Sequence, residues 1–321
     1  MDRPPIDRAQ RIHAGFTVIA FMLQRLGWLL LTLWIVFTVS FFLMRSVPGG
    51  PFSRERTLEP EIEENFKRRY HLDQPLWNQY LIELKNVCRG DLGYSFKLGD
   101  YTVNQVIAEG WPISVALGLL AMSMAVGLGL TAGIVSAVAR GSVADVGLML
   151  LSTIGIALPN FVIAGIGIIL FVFLIPIFPA AGWGQLRHLW LPAFCLGAPY
   201  AAYVARIART SMLDVLSQDY IRTARAKGLG TGRVVLVHAL RGALLPVVSF
   251  LGPATAGILT GSMVVEQIFA IPGLGSHFIQ AALQRDYTLA MGLVLLYTLL
   301  LYTMNWLVDF SYALLDPRVE L

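Results

Sequence analysis

Six uncharged, strongly apolar runs alternate with charged segments along the chain. They occupy residues 26–44, 113–139, 146–175, 189–205, 242–265 and 287–308. A helix needs roughly 20 apolar residues to cross the ~30 Å hydrocarbon layer of a bilayer, and five of the runs reach or nearly reach that length. The fourth run is shorter, and we expect it to continue as a helix past Arg206 and Arg209, because basic side chains near a helix end can reach the headgroups. The pattern predicts six membrane-spanning helices.

The runs are long and show no strand-like alternation, which decides the fold class. Within hydrocarbon every backbone polar group must be satisfied internally, so such runs form helices and not a barrel. Composition agrees, since 56% of the residues are apolar and only 14% are charged, against about a quarter charged in soluble domains. We expect an all-α, multi-pass protein of the lipid bilayer. The net charge of +4 does not require a nucleic acid partner.

Lys and Arg residues of the short connections lie mostly on one side of the predicted spans. They occur in segments 1–25, 139–145 and 206–241 and after residue 309, whereas the alternate short loops carry only Arg187 and Arg285. The positive-inside rule therefore places both termini in the cytoplasm. The resulting division of the chain is a cytoplasmic tail 1–25, a first span 26–45, an extracytoplasmic segment 46–112, and a core 113–321 that holds the other five spans and the cytoplasmic segment 206–241.

The extracytoplasmic segment carries two helix signals. Acidic residues at 59–64 precede basic residues at 67–69, the order that a helix macrodipole favours. A second helix is predicted to start at Pro75, an allowed first-turn position, and to stop before Gly90. Either a small solvated cap or a docking or gating surface is compatible with this segment.

Four residues in or beside the runs are candidates for lining a transport path. Pro159 interrupts the third run, and proline in a spanning helix frees a carbonyl and kinks the helix. Asn160 follows it, and Asn305 is a polar residue in the last run. Glu266 lies at the edge of the fifth run, where an ionisable group indicates either a functional site or an interfacial position. Proline kinks also occur in helices with no transport role.

The most informative polar segment lies between the fourth and fifth runs and reads DYIRTARAKGLG (219–230). An acid at the start, bases near the end and a terminal glycine predict a short helix. Tyr220, Ala224 and Gly228 recur at i, i+4 and i+8 and are expected to share one face. Small residues on that face would allow another surface to approach closely, with Tyr220 and Leu229 as anchors. A solvated loop helix is the alternative.

This segment resembles the EAA motif, the coupling helix by which permease subunits of bacterial ATP-binding-cassette (ABC) importers dock on their ATPase subunits. Arg222, Thr223 and Ala224 stand where the motif begins with Glu-Ala-Ala, and Gly228 stands at its glycine. The same variant is common in the peptide and nickel permease branch. Further patches that resemble this branch are PGGPF (48–52), GDLGYS (90–95), VEQIF (265–269), PGLG (272–275) and DFSYALLDPR (309–318). Their order is similar to that of the first of the two permeases of dipeptide or oligopeptide importers.

The resemblance implies a type I ABC importer (MetI-like) permease fold in a bacterial or archaeal plasma membrane. As ATPase-coupling residues it implies Asp219, Tyr220, Arg222, Thr223, Ala224, Ala226, Gly228 and Leu229. As partners it implies a second homologous permease, two ABC ATPase subunits and an extracytoplasmic substrate-binding protein. The sequence contains no GxxxxGK[ST] phosphate loop. ATP and Mg²⁺ are therefore expected to be used by the partner ATPases, with no cofactor or metal bound by this chain.

Two other functional classes lack support in the sequence. A proton-coupled carrier or channel should place acids, bases or histidines in mid-membrane, and the six runs are nearly free of them. An intramembrane enzyme should contain a pattern such as GxSxG or HExxH, and neither occurs. A purely structural membrane anchor is compatible with the composition but leaves the coupling-helix resemblance unexplained. Dipeptides, oligopeptides, nickel chelates and oligosaccharides all remain open as cargo.

Overall fold

The computed structural model describes residues 8–47, 64, 68 and 72–315, and these are overwhelmingly helical. The patch at 48–52, most of the acidic and basic stretch at 59–69, and residues 316–318 of the C-terminal patch lie outside the described residues. In chain order the helices are α1 (Arg8–Ser46), α2 (Leu76–Cys88), α3 (Val103–Val138), α4 (Val143–Ala157), α5 (Asn160–Ile168), α6 (Arg187–Leu216), α7 (Asp219–Ala226), α8 (Leu240–Gly261), α9 (Met263–Ile268), α10 (Leu274–Gln284) and α11 (Tyr287–Leu315).

Five helices of the described residues are long and apolar enough to cross a membrane, and one bent pair of helices makes six if the pair counts as one span. The bent pair is the third predicted run, in which α4 meets the segment Asn160–Leu174 at an angle of 111°. That segment consists of α5 and the π-helical stretch Ile169–Leu174 that continues it. The break falls at Leu158 and Pro159, where the chain is extended and Pro159 caps α5. The predicted interruption at Pro159 is confirmed, and the six predicted runs correspond to the five long helices and the bent pair. The fourth span continues helically to Leu216, past Arg206 and Arg209, as expected.

The outer segment differs in extent from the sequence prediction. α3 begins at Val103, well before the uncharged run that starts at residue 113, and it contains Glu109 and Pro112. Part of the segment expected to form a loop up to residue 112 is therefore helical. The predicted helix from Pro75 is confirmed as α2, with Pro75 as its N-cap residue.

The chain divides into two compact units, residues 1–104 with 281–321, and residues 105–280. In the first unit, α1 packs on α11. Asp286 is buried and caps α11 by accepting the Leu289 N–H at 3.1 Å. The same carboxylate accepts hydrogen bonds from the Ser95 hydroxyl and from the backbone N–H groups of Phe96 and Lys97. This carboxylate thereby ties the turn within GDLGYS to the start of the last span.

In the second unit, α6 is the central helix and packs on α4, α5 and α8. α3 also packs closely against it through a GxxxG pair, Gly129 and Gly133. A Cβ added at Gly129 would lie 2.6 Å from the Ala201 carbonyl oxygen, and one at Gly133 would lie 2.6 Å from that of Ala205. Small residues allow such close backbone approach, and in a bilayer this packing replaces the hydrophobic driving force that lipid does not supply.

Candidate coupling and pathway sites

The short helix predicted between the fourth and fifth spans is α7, which runs from Asp219 to Ala226. Gly228 adopts φ +81°, a conformation that is costly for a residue with a Cβ. Its N–H donates to the Arg225 carbonyl at 2.9 Å, and the Leu229 N–H donates to the Ala224 carbonyl at 3.3 Å. These two bonds form a Schellman motif, which satisfies carbonyls at the helix end. The glycine therefore stops α7 and lies beyond it.

One face of α7 is anchored in the protein's own interior. Ile221 is completely buried and Ala224 is 8% exposed. Both belong to an apolar group that we call the coupling cluster, formed by Ala137, Met212, Ile221, Ala224, Val234, Val235, Ala239 and Ala243. Since these residues come from α3, α6, α7, α8 and the turn between α7 and α8, the cluster joins α7 firmly to the ends of three spans.

This anchoring corrects the expected division of faces on α7. Ala224 was expected to face a partner together with Tyr220 and Gly228, but it packs inside the coupling cluster, and Leu229 packs against the same cluster. Tyr220 is half exposed and Gly228 is exposed. Tyr220 and Ala224 share a face of α7, as the spacing predicts, but that face is turned toward the protein, and the Tyr220 hydroxyl lies beside Gly242 of α8. Gly228 lies beyond the end of the helix and does not belong to that face.

The opposite face of α7 is open. Asp219, Arg222, Thr223 and Ala226 are exposed. The ion pair between Arg222 and Asp219, at 3.3 Å, is also exposed and contributes little to stability. After α7, the chain forms a π-helical stretch, Val234–Ala239, before α8. Single-turn π-helical insertions often mark functional sites. α7 is therefore a short surface helix that is packed against the protein on one face and exposes polar and small side chains on the other.

Glu266, a candidate for the transport path, lies instead in the protein interior. It is completely buried, and one carboxylate oxygen accepts hydrogen bonds from the hydroxyls of Ser114 and Ser262 at 2.8 and 2.6 Å. The other accepts the backbone N–H groups of Gly275 and Ser276 at 2.8 and 3.1 Å, at the start of α10. A helix N-terminus stabilises an anion. Glu266 thus joins α3, α9 and α10, and it does not line an open path in this structure.

The glycines of the PGLG patch (272–275) lie in close contact with the carboxylate of Glu266. A Cβ added at Gly273 would overlap the Glu266 carboxylate, and one at Gly275 would lie 2.9 Å from it. His277 lies nearby on α10. Burial lowers the pKa of His277, while the carboxylates of Glu266 and Glu109 act in the opposite direction. Gly273 and Gly275 are therefore required by close contact with the carboxylate and, at Gly275, with the backbone of Met263.

The other pathway candidates lie at the surface of their own units. Pro159 is exposed and Asn160 is half-buried at the break between α4 and α5, and Asn305 is exposed on α11. A role in the path stays a prediction for all three. Within the described residues no group of three or more His, Cys, Asp or Glu could hold a metal ion.

A polar contact that the sequence reading missed lies near the coupling cluster. The Arg209 guanidinium donates to both carboxylate oxygens of Asp145, at 2.7 and 2.9 Å. The same carboxylate accepts a hydrogen bond from the Ser136 hydroxyl and one from the Gly141 N–H. Arg209 was read as a base that reaches the headgroups, whereas it is paired within the protein. The sequence signal for this ion pair is an acid, Asp145, directly before the third apolar run and a base, Arg209, shortly after the fourth.

Comparisons with known proteins agree with this architecture. Residues 129–321 match the family described as "Binding-protein-dependent transport system inner membrane component". The oligopeptide transport system permease protein OppB of Haemophilus influenzae is 45% identical over 305 residues, covering 94% of this chain and 100% of the relative. The dipeptide transport system permease protein DppB of Bacillus subtilis is 42% identical over 301 residues, covering 94% of this chain and 98% of the relative.

The fold is also similar to that of a solved structure described as "Crystal structure of an amino acid ABC transporter with histidines". The TM-score is 0.50 at 17% identity, over 65% of this chain and 93% of that chain. Together with the helix order, this confirms the all-α ABC importer permease fold. The chain therefore belongs to the family of binding-protein-dependent transport system inner membrane components, the permease subunits of ABC importers.

Proposed function

We propose that this chain is one permease subunit of an ABC importer for dipeptides or oligopeptides, and that it forms half of the translocation pathway. The observation that carries the proposal is α7, which presents an exposed outer face while Ile221 and Ala224 fix its inner face to the coupling cluster. A force applied to the outer face would be passed to the ends of α3, α6 and α8. A solvated loop helix has no need of such an anchor.

The proposed cargo explains why partners are required. A peptide carries amides and charged ends, and each unsatisfied polar group in hydrocarbon costs several kcal/mol. The peptide therefore needs a shielded path, which we assign to this chain together with a second homologous permease. Pro159, Asn160 and Asn305 are this chain's candidates for lining that path. Uphill movement also needs an energy source, and the sequence has no phosphate-binding loop of its own.

In this proposal two ABC ATPase subunits bind ATP and Mg²⁺ and dock on α7, through Asp219, Tyr220, Arg222, Thr223, Ala226 and Gly228. Ala224 and Leu229 support that surface from within. Closure of the ATPases draws the α7 helices of the two permeases together and switches the cavity between inward and outward access. An extracytoplasmic binding protein delivers the peptide. ATP and the loaded binding protein thus bias two packed arrangements of the same helices.

The orientation follows from the distribution of basic residues. The segment 206–241 carries seven Lys and Arg residues, which the positive-inside rule assigns to the cytoplasm. Both termini then also lie inside, and α7 lies on the side where ATP is available. This orientation is a requirement of the proposed mechanism.

The proposed cargo is supported by the relatives, whose names refer to oligopeptide and dipeptide transport. The test is uptake by the complex of this chain with its second permease, ATPases and binding protein in lipid vesicles. We expect saturable, ATP-dependent uptake of a labelled tripeptide that is at least tenfold faster than uptake of a nickel chelate or a short oligosaccharide. Omission of the binding protein is the control and should abolish the uptake. Equal or preferred uptake of the chelate or the sugar would contradict the proposal.

A further inference from the structure

The helix α2 packs against the first span, α1, through Tyr80. The Trp34 indole N–H donates to the Tyr80 hydroxyl at 3.0 Å, and the Thr38 hydroxyl lies 3.0 Å from the same oxygen. The Tyr80 ring packs on Phe37 and Phe41, with centroid distances of 5.5 Å to each. Tyr80 is buried as a result. A residue of the sequence segment expected to lie outside the membrane therefore reaches far down α1.

The register of α1 shows how deep this contact is. Its uncharged run, residues 26–44, measures about 28 Å at 1.5 Å per residue, so nearly all of it is needed to cross the ~30 Å hydrocarbon layer. On the same scale Thr38 lies about 9 Å inside the end of the run at Met44. The hydroxyl of Tyr80 is therefore within the hydrocarbon layer, where its two hydrogen-bond partners satisfy it.

A second contact marks the headgroup level. Arg45, directly after the uncharged run, pairs with Glu83 of α2 at 2.7 Å, and its guanidinium lies 4.9 Å from the centre of the Phe41 ring. Glu83 follows Tyr80 by about one helical turn. α2 thus leads from the level of Thr38 at Tyr80 to the headgroup level at Glu83, at the C-terminal end of α1.

The exposed side chains in the first turns of α2 are apolar except for Asn78, and basic side chains are exposed further along. Leu76, Trp77 and Leu81 are 53%, 61% and 47% exposed, and Lys85 and Arg89 beyond them are exposed. Trp77, Leu81 and Lys85 are spaced at i, i+4 and i+8 and lie on one face. Apolar and aromatic residues followed by a base are typical of a helix in the membrane interface.

This apolar face continues the exposed surface of α1. Trp77 stacks on Tyr80 with ring centroids 5.4 Å apart, and Tyr80 stacks on Phe42 at 5.7 Å, both at 18°. Phe42 and Trp34 are themselves exposed on the first span. The exposed rings of Trp77 and Phe42 therefore lie on either side of the buried Tyr80 ring, and they bring the apolar surfaces of α2 and α1 close together.

We propose that α2 is an interfacial helix, with Leu76, Trp77 and Leu81 inserted among the lipids of the leaflet at the C-terminal end of α1. Lys85 and Arg89 lie at the headgroups, and the ion pair of Arg45 with Glu83 sets the level of α2 against α1. The occupant of the exposed face is lipid. A solvated cap and a surface covered by another protein are the two alternatives that the test separates.

The test is the accessibility of nitroxide labels in the assembled complex in lipid vesicles. Exposed Cys88 is replaced by Ser, buried Cys195 is kept, and single cysteines are introduced as Trp77→Cys, Leu81→Cys and Lys85→Cys. We expect the labels at 77 and 81 to collide several-fold more with oxygen, which concentrates in lipid, than with a water-soluble nickel chelate. The label at 85, on the same face, should show the reverse preference.

Two results would overturn the proposal. Chelate accessibility at 77 and 81 equal to that at 85 would mean a solvated cap, and poor accessibility to both reagents would mean a protein partner. Because Trp77→Cys removes the stack on Tyr80, Leu81→Cys provides an independent reading if the first variant is unstable. The outcome does not depend on the cargo of the importer.

Discussion

Asp145→Ala is expected to destabilise the protein clearly more than the removal of an exposed charge, because it leaves the Arg209 guanidinium without its partner. Asp145 is 4% exposed and holds Arg209 through two hydrogen bonds. Its loss leaves the Arg209 guanidinium unpaired and removes the acceptor of the Ser136 hydroxyl and the Gly141 N–H. The measurement is denaturant unfolding of the purified chain in detergent or lipid.

A double-mutant cycle isolates the pair itself. Asp145→Ala combined with Arg209→Ala should cost clearly less than the sum of the two single changes, because each single change leaves a lone charge and the double change leaves none. Arg206→Ala is the matched control, since Arg206 is exposed and no ion pair to it is seen within the described part of the chain. Its expected effect is within about 0.5 kcal/mol. If the double change costs as much as the two single changes together, the ion pair does not stabilise the protein.

Ala226→Trp is expected to reduce ATP-driven uptake at least tenfold and to weaken ATPase docking, while the stability of the permease stays unchanged. Ala226 is exposed at the end of α7, so an indole there meets no part of this chain's core but obstructs a closely fitting partner. Uptake in vesicles, co-purification of the ATPases and thermal unfolding are measured together. Normal docking and normal uptake in this variant would contradict the assignment of α7 as the coupling element.

Two matched variants separate docking from folding. Ala144→Trp makes the same change at another exposed alanine, in the first turn of α4, and should leave docking and uptake intact. Ala224→Trp puts the indole into the coupling cluster and should lower the thermal stability as well as uptake, because overpacking a well-filled core typically costs 1–3 kcal/mol. The two substitutions in α7 are thus expected to differ in their effect: Ala226→Trp impairs docking alone, whereas Ala224→Trp also lowers the stability of the permease.

The sequence was sufficient for features that depend on local chemistry. Hydropathy located the six spans, Pro159 located the break between α4 and α5, and Pro75 located the start of α2. The glycine after the last bases of α7 ended that helix as predicted. Each of these features is decided by a few neighbouring residues, through backbone geometry or the length of an apolar run.

Features that depend on which segments meet could not be predicted in the same way. Lipid is as apolar as a protein core, so a hydropathy pattern does not distinguish a helix face that meets another helix from one that meets lipid. The partners of Glu266, the pairing of Asp145 with Arg209 and the inward position of Ala224 all depend on such meetings. The contact of α2 with α1 could not be predicted from the hydropathy pattern either. The polar residues of α2 indicated water, whereas Tyr80 satisfies its hydroxyl on the first span.

The central claim is that a separate motor drives the helices of this chain through α7. The most direct test is uptake of a labelled tripeptide into vesicles that contain both permeases and the binding protein, with and without the two ATPase subunits. The account predicts uptake only when the ATPases and ATP are both present, and no ATP hydrolysis by the purified permease alone. Peptide accumulation without the ATPases, or nucleotide hydrolysis by this chain by itself, would contradict the account.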